Sequence, residues 1–266
     1  MRFLITLSPV FAKTALPYNY QYALSAVIYK KIAAADKAYA GFLHEKGYTK
    51  QGTAKHFKFF TFSSLWGKFK SVNQALQMDA ETTGFTLCCH MPEFAQHFIT
   101  GLFKDQQITI AGQGAKATFT VQQVEALPPL YAADVNTMHR VELTPQSPIV
   151  VTRNNEKGNE DYLSPEDNDF IDLIKLNLLD KLMTAYGENY DGLITLNAHF
   201  KPEHLKSRLV TIKENTAAQT RVRGYTGFTI EMIAPGKAIQ MALDGGLGSM
   251  NAIGFGCVSR ESLFDE

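Results

Sequence analysis

The sequence predicts an α+β protein built from two tandem units, the first of them ferredoxin-like. In residues 1–126, strand and helix patterns follow the order β, α, β, β, α, β, which defines that unit. Leu127-Pro128-Pro129-Leu130 then breaks the periodicity with two adjacent prolines, as linkers do. Strands and helices alternate again beyond it. We therefore expect one domain over residues 1–126 and a second over residues 131–266.

The elements of the first unit follow from local patterns. Tyr18–Ala35 is predicted to be helical because Tyr22, Ala26, Tyr29 and Ala33 recur at spacings of four, three and four. Asp36 is a helix-capping type of residue and begins a second helix that runs through His44 and ends at Gly47. The other predicted elements are strands Arg2–Ser8, Phe57–Phe62 and Gly84–His90, a helix from Pro92 to Phe103, and strands Gln107–Ala111 and Ala117–Glu125.

The second unit has a clear helix start. Ser164-Pro165-Glu166-Asp167 combines an N-cap residue, a proline suited to the first helical position and acidic residues for the first turn. We predict a helix from there to Tyr186, with Phe170, Ile174, Leu178 and Leu182 on its apolar face. The other predicted elements are strands Met138–Thr144, Pro148–Arg153, Leu209–Lys213, Arg221–Arg223, Gly227–Ile233 and Phe255–Ser259, and a short helix Pro235–Leu243.

Composition limits the classes of function. The 266 residues are 45% hydrophobic, and 26 Lys and Arg balance 26 Asp and Glu, so any basic surface must be local. Three cysteines without a framework spacing favour a reducing, cytoplasmic setting. No segment reaches the roughly 18 apolar residues of a membrane span, and residues 1–10 lack the pattern of a signal peptide. The histidines show no metal-ligand spacing, so we expect no metal and no cofactor.

A glycine-rich segment near the C-terminus is the most informative motif. Gly246-Leu247-Gly248 and Gly254-Phe255-Gly256 flank five residues. Glycine adopts positive φ and allows close backbone approach, and loops rich in free N–H groups suit phosphate. No Lys-Ser/Thr pair follows, which excludes a Walker loop. The alternative is a tight connection between a helix and the last strand.

This motif resembles that of a known family. The loop ending in Gly254-Phe255-Gly256-Cys257-Val258 is similar to the signature of the CRISPR-associated repeat-processing endoribonucleases, the Cas "six" family of the repeat-associated RNA-binding superfamily. The resemblance covers the whole chain, and its other blocks are Tyr20–Tyr29, Phe42–Tyr48, Phe57–Ser63, Ser147–Ile149, Tyr162–Phe170 and Val222–Tyr225. It implies two ferredoxin-like (RRM-like) domains with an RNA groove between them.

The resemblance also implies an activity and partners. The expected reaction is metal-independent cleavage of the repeat in CRISPR transcripts, which leaves a 2′,3′-cyclic phosphate and a 5′-hydroxyl. The expected partner is CRISPR repeat RNA, as precursor and as mature guide RNA. Subunits of a CRISPR effector complex are a further expected class of partner, and the chain would act as a monomer or homodimer.

Self-cleavage of RNA without a metal needs a proton acceptor, a proton donor and a cation beside the phosphorane. Family members often carry a tyrosine, a histidine fifteen residues later and a lysine six residues after that. Tyr29, His44 and Lys50 match both intervals. The resemblance implies that His44 is the general acid or base, that Lys50 stabilises charge and that Tyr29 positions the phosphate or the attacking hydroxyl. The alternatives are a core-edge tyrosine and two solvated surface side chains.

Candidate RNA-binding residues are the four loop glycines together with Lys55, Arg221 and Arg223. The two arginines are two positions apart on a predicted strand and share one face, which suits a row of phosphate contacts; the alternative is a solvated strand face. One departure from the family concerns the loop. Family loops commonly carry Lys or Arg between the glycine pairs, whereas Ser249–Ile253 carries no positive charge.

Two other functions remain open from the sequence. One is a non-catalytic RNA-binding subunit of an effector complex, and the other is an enzyme that binds a small phosphate compound in the glycine loop. The matched tyrosine, histidine and lysine favour the endoribonuclease, because a non-catalytic subunit has no use for them.

Overall fold

The computed structural model describes residues 1–260 except Gln51, Ala54, Gln74, residues 131–135, Lys157 and Asn215. The predicted first residue of the second domain and its end at residue 266 lie outside the described residues. In the described part, no helix is both long enough and apolar enough to cross a membrane.

The first half is built around a central β-strand whose alternate residues, such as Ile5 and Leu7, are fully buried. In chain order the elements are β1 (Arg2–Pro9), β2 (Ala15–Pro17), α1 (Tyr20–Ala35), α2 (Lys37–Glu45), β3 (Tyr48–Thr49), β4 (His56–Phe57), β5 (Phe60–Phe62), β6 (Phe69–Val72), β7 (Ala75–Met78), β8 (Thr83–Cys89), α3 (Pro92–Lys104), β9 (Gln107–Gly112) and β10 (Ala115–Leu127). Among the described residues, five of these strands form one antiparallel sheet in the order β5-β8-β1-β10-β9. Strands β5-β8-β1-β10 have the ferredoxin-like order, and β9 extends the edge.

The second half repeats this arrangement. Its elements are β11 (Met138–Pro145), β12 (Thr152–Asn154), β13 (Glu160–Tyr162), α4 (Phe170–Tyr186), β14 (Thr195–Phe200), β15 (Lys206–Ile212), β16 (Thr220–Thr226), β17 (Phe228–Pro235), α5 (Gly236–Gly245) and β18 (Val258–Arg260), with short 3₁₀ turns at Pro202–His204 and Asn251–Ile253. The sheet, within the described residues, has the order β14-β17-β11-β18, again with the first strand next to the third and the fourth. The prediction of two tandem ferredoxin-like domains is therefore confirmed.

Of the two predicted helix caps, one is confirmed and one is wrong. The Asp36 carboxylate accepts a hydrogen bond of 2.8 Å from the Tyr39 N–H and caps α2 as expected. Ser164 does not begin α4, which starts at Phe170. The Asp167 carboxylate instead accepts from the Ser164 N–H at 2.6 Å, and the Ser164 hydroxyl accepts from the Glu166 N–H at 3.2 Å. These bonds close a separate turn before the helix.

The aromatic run Phe57–Phe62 is not the single strand that its composition predicts. It is interrupted at Phe59, whose φ is +52°. Phe57 and Phe59 stack with ring centroids 5.8 Å apart and belong to the core of the second half. Phe60 and Phe62 belong to the core of the first half. The run therefore contributes to both cores, and the turn at Phe59 redirects the side chains.

Other differences concern strands that the sequence did not predict, which are β2, β3, β6, β7, β13 and β14. In β14 only Leu196 is buried, so the apolar alternation that marks a strand is weak. The strand predicted over Pro148–Arg153 is replaced by two single bridges, from Ile149 to Tyr225 and from Val150 to Ser249, before the short β12.

Candidate active site

Tyr29 and His44 come together from two consecutive helices. Tyr29 lies on α1, and His44 lies in the last turn of α2. Their ring centroids are 5.4 Å apart at 84°, and Tyr29 also packs edge-on against Phe60 at 5.7 Å. His44 is exposed, whereas burial raises the pKa of the Tyr29 phenol above its ordinary value. Tyr29 is therefore a neutral hydroxyl near pH 7, next to an imidazole that solvent and substrate can reach.

The side chain of Lys50, in the first half, is held by an ion pair with a residue of the second half. Lys50 follows β3, and its backbone N–H donates to the carbonyl of Lys55 at 3.2 Å, so both lysines lie at the end of the β3–β4 hairpin. Both ammonium groups pair with the carboxylate of Asp180 on α4. Burial would raise the pKa of Asp180, but the hydrogen bonds from the two lysines hold it below its usual range. Lys50 is thus ion-paired rather than simply solvated.

The glycine loop has the backbone that its composition predicts. Gly246, Gly248, Gly254 and Gly256 have φ of +77°, +67°, +90° and +70°. A Cβ on Gly256 would clash with the carbonyl oxygen of Leu247, and a Cβ on Gly248 would clash with the carbonyl oxygen of Val150. The glycines are therefore required where the loop packs against its own chain. The inner side of the loop is a tight connection, and only its middle residues face outward.

Lys181 places a basic side chain against the loop, which itself carries no Lys or Arg between its glycine pairs. Its ammonium donates to the Gly246 carbonyl and to Asn251 Oδ1, both at 2.7 Å, and to the Gly248 carbonyl at 3.3 Å. Burial lowers the pKa of Lys181 to about 7. The sequence patterns did not predict a role for Lys181 at the loop. The available clue is that Ile174, Leu178 and Lys181 are spaced four and three apart, which places a lysine on the buried face of α4.

A cleft of about 580 Å³ lies between the two halves. Four lysines line it, and no Asp or Glu is among its described lining residues. Lys58 also donates from its ammonium to the His44 carbonyl at 2.9 Å, which joins the cleft wall to the end of α2. Because the chain has no net charge overall, this is a local basic surface. The lining lysines are Lys55, Lys58, Lys181 and Lys213, and the loop contributes Gly248 to Ile253.

The cleft includes only part of the predicted RNA-binding set. Lys55 and Gly248 line it, but Gly246, Gly254, Gly256, Arg221 and Arg223 do not. The two arginines share one face of β16, as their spacing predicts, with the buried Val222 opposite. Arg221 is exposed, and Arg223 donates to the Ser207 hydroxyl at 3.2 Å.

The described residues contain no cluster of three or more His, Cys, Asp or Glu side chains that would hold a metal ion.

Comparisons with known proteins cover both halves. The family model "CRISPR-associated protein Cas6, N-terminal" matches residues 15–125, and "CRISPR associated protein Cas6, C-terminal" matches residues 132–260. The chain is 26% identical over 247 residues to CRISPR-associated endoribonuclease Cas6 1 of Methanocaldococcus jannaschii, covering 92% of this chain and 87% of the relative. It is 25% identical over 266 residues to CRISPR-associated endoribonuclease Cas6 of Pyrococcus furiosus, covering 98% and 90%.

A solved structure has a similar fold. The structure described as "Characterization of a Cas6-related gene from Pyrococcus furiosus" superposes with a TM-score of 0.79 at 19% identity and covers 99% of both chains. The two halves match the two family models in the expected order, and the fold agrees over nearly the whole length. This chain belongs to the Cas6 family of CRISPR-associated proteins.

Proposed function

We propose that this chain is an endoribonuclease that cleaves CRISPR repeat RNA in precursor transcripts to give mature guide RNAs. The lysine-lined cleft between the two ferredoxin-like halves is the observation that carries the proposal, because RNA binding depends on neutralising phosphates. The relatives named CRISPR-associated endoribonucleases support the reaction class.

The RNA backbone would follow the cleft. Lys55, Lys58 and Lys213 place ammonium groups along it, and Ser249 to Ile253 of the loop form part of its wall. Lys181 lies behind that wall, bonded to loop carbonyl groups, and adds a positive charge there when it is protonated. An uncharged loop can then still lie in a favourable potential for phosphate. Arg221 and Arg223 on the neighbouring hairpin would extend the path beyond the cleft.

The chemistry assigned to the site is attack of the 2′-hydroxyl on the adjacent phosphate. His44 is exposed and would take the proton of the 2′-hydroxyl or give a proton to the leaving 5′-oxygen, as histidine does in general acid–base catalysis. Tyr29, a neutral donor beside it, would orient the phosphate or the attacking hydroxyl. Lys50 would offset the charge that develops on the phosphorane. The 2′,3′-cyclic phosphate and 5′-hydroxyl follow from this attack without a bound metal ion.

Cleavage of the cognate repeat RNA in EDTA tests the proposal. We expect one cut, and we expect a 2′-deoxy substitution at the cut site to abolish it while RNA binding persists. His44→Ala should slow cleavage by about 10²–10⁴, the range for a lost proton-transfer group. His204→Ala is the matched control, because His204 is also an exposed histidine but lies on a 3₁₀ turn of the second half, whereas His44 contacts Tyr29.

Two results would contradict these assignments. Equal rates for His44→Ala and the wild type would remove His44 from the reaction, although the repeat RNA would still be the substrate. Cleavage that starts only when Mg²⁺ or Zn²⁺ is added would overturn the metal-independent mechanism.

One observation keeps a second function in view. Lys50 is ion-paired with Asp180. If Lys50 never reaches the phosphate, the chain would bind repeat RNA without cutting it, as a subunit of an effector complex does. Retention of the guide RNA would make effector-complex subunits its further partners, and we place its action in the cytoplasm as a monomer or homodimer. Binding with no cleavage under any metal condition is the result that favours this alternative.

A further inference from the structure

We propose that Asp180 is a positioning residue for RNA cleavage, which holds the Lys50 ammonium in place from the opposite half of the protein. This inference rests on the proposed function, because Lys50 has a role in catalysis only if the chain cleaves RNA. It starts from an unusual arrangement in which one carboxylate is shared by two lysines.

The contact joins two elements that are far apart in the sequence and that also pack together, because Phe57 of the hairpin belongs to the core of the second half. Lys50 and Lys55 end the β3–β4 hairpin, which follows the helix that carries His44. Asp180 lies on α4 of the second half, and its side chain is only 11% exposed. A lysine side chain has four rotatable bonds and loses much entropy when it is fixed, so a surface lysine is not held in one place by its own backbone. A buried carboxylate on a packed helix provides the missing constraint.

Charge also favours positioning over simple neutralisation. Two ammonium groups and one carboxylate leave a net positive charge at the end of the hairpin. Asp180 therefore keeps the pair of lysines close without cancelling their attraction for phosphate. The next residue, Lys181, holds the glycine loop, so consecutive residues of α4 order two walls of the same cleft.

The test compares cleavage with binding. Asp180→Asn keeps the shape of the side chain and removes its charge. We expect single-turnover cleavage of the repeat RNA to fall about 10–100-fold, the scale of a misplaced catalytic group. The Kd for the RNA should stay equal or decrease, since a negative charge near the cleft has been removed. Asp172→Asn is the matched control, because Asp172 is exposed on the same helix and should leave both quantities unchanged.

A double-mutant comparison separates positioning from a general effect on folding. If Asp180 acts through Lys50, Asp180→Asn should cause no further loss in a Lys50→Ala background. Asp180→Glu, which keeps the charge, should recover part of the rate. Equal losses from Asp180→Asn in the wild-type and Lys50→Ala backgrounds would overturn the inference.

The two proposals fail in different ways. Absence of repeat-RNA cleavage by the wild-type protein would overturn the proposed function. A Lys50→Ala variant that cleaves at the wild-type rate would overturn the role of Lys50 and, with it, the role of Asp180, while the proposed function would stand. A slow Lys50→Ala variant beside a fully active Asp180→Asn variant would overturn only the role of Asp180.

A measurement on the wild-type protein covers the case in which Asp180→Asn does not fold. Trace acetylation followed by mass spectrometry should label Lys50 several-fold more slowly than the exposed Lys116. Equal labelling would show that Asp180 does not hold Lys50 in solution and would overturn the inference.

Discussion

Replacing Gly256 with alanine tests whether the glycine loop is built against its own chain. Gly256 has φ of +70°, where an alanine costs about 1–2 kcal/mol. The new Cβ would also clash with the Leu247 carbonyl oxygen, at far less than a van der Waals contact distance, and lie 2.6 Å from Asn251 Nδ2. The first of these is backbone and cannot rotate away, so the loop must shift. Forcing atoms into a packed interior typically costs a further 1–3 kcal/mol, about 2–5 kcal/mol in all.

Gly187 provides the matched control. It ends α4 with a nearly identical φ of +69°, yet a Cβ there would meet no atom within 4 Å. Gly187→Ala should therefore lose only the conformational term of about 1–2 kcal/mol. The difference between the two variants isolates the close approach of the loop to Leu247.

Urea unfolding measures both free energies. We expect Gly256→Ala to have the lower midpoint of the two at unchanged m-value, which would show that stability and not the size of the exposed surface has changed. Equal losses would refute the reasoning, because they would mean that the loop has room for a side chain. Repeat-RNA binding by the folded fraction of Gly256→Ala should weaken as well, since the cleft wall has moved.

Three further results follow from other residues. Burial lowers the pKa of Lys181 to about 7, so between pH 7 and 10.5 the unfolded chain binds a proton that the folded chain lacks. The urea midpoint of the wild type should therefore rise with pH across that window, and Lys181→Met should flatten the rise. Gly41 lies inside α2 with no atom within 4 Å of a new Cβ, so Gly41→Ala should raise the free energy of unfolding by about 0.5–1 kcal/mol in the same assay. Lys213→Ala should reduce the salt dependence of RNA binding by about one unit of slope, measured as log Kd against log salt concentration; an unchanged slope would mean that Lys213 touches no phosphate.

The overall architecture was predictable because it depends on periodicity. The strands and helices of the first half carry regular apolar spacing, and the cap at Asp36 uses a side chain whose partner is three residues away. The face of α1 was nevertheless predicted wrongly, because Leu24, Ile28 and Ile32 are buried and the stripe from Tyr22 to Ala33 is not. Short-range rules were sufficient for the element order and the Asp36 cap. They failed at Ser164, where a local turn competes with the helix start, and at β14, where one buried residue gives too little alternation.

The site was predictable only in part, since its contacts join distant residues. The sequence intervals indicate Tyr29 and His44, which the structure brings into contact, but their roles in cleavage remain predictions. The ion pair between Lys50 and Asp180 spans 130 positions, and no local pattern indicates it. Lys181 was detectable as a lysine on a buried helix face, but its partners in the loop were not. The domain limits at residues 126 and 131 likewise remain a prediction.

The split aromatic run has a consequence for how the protein can be divided. Phe57 and Phe59 precede the proline-containing linker by some seventy positions, yet they fill the interior of the domain on its far side. A fragment cut at the linker would leave that interior without two aromatic rings and expose them on the other fragment. Neither piece is then a self-sufficient folding unit, and the groove where RNA would lie is tied to the cooperative assembly of both.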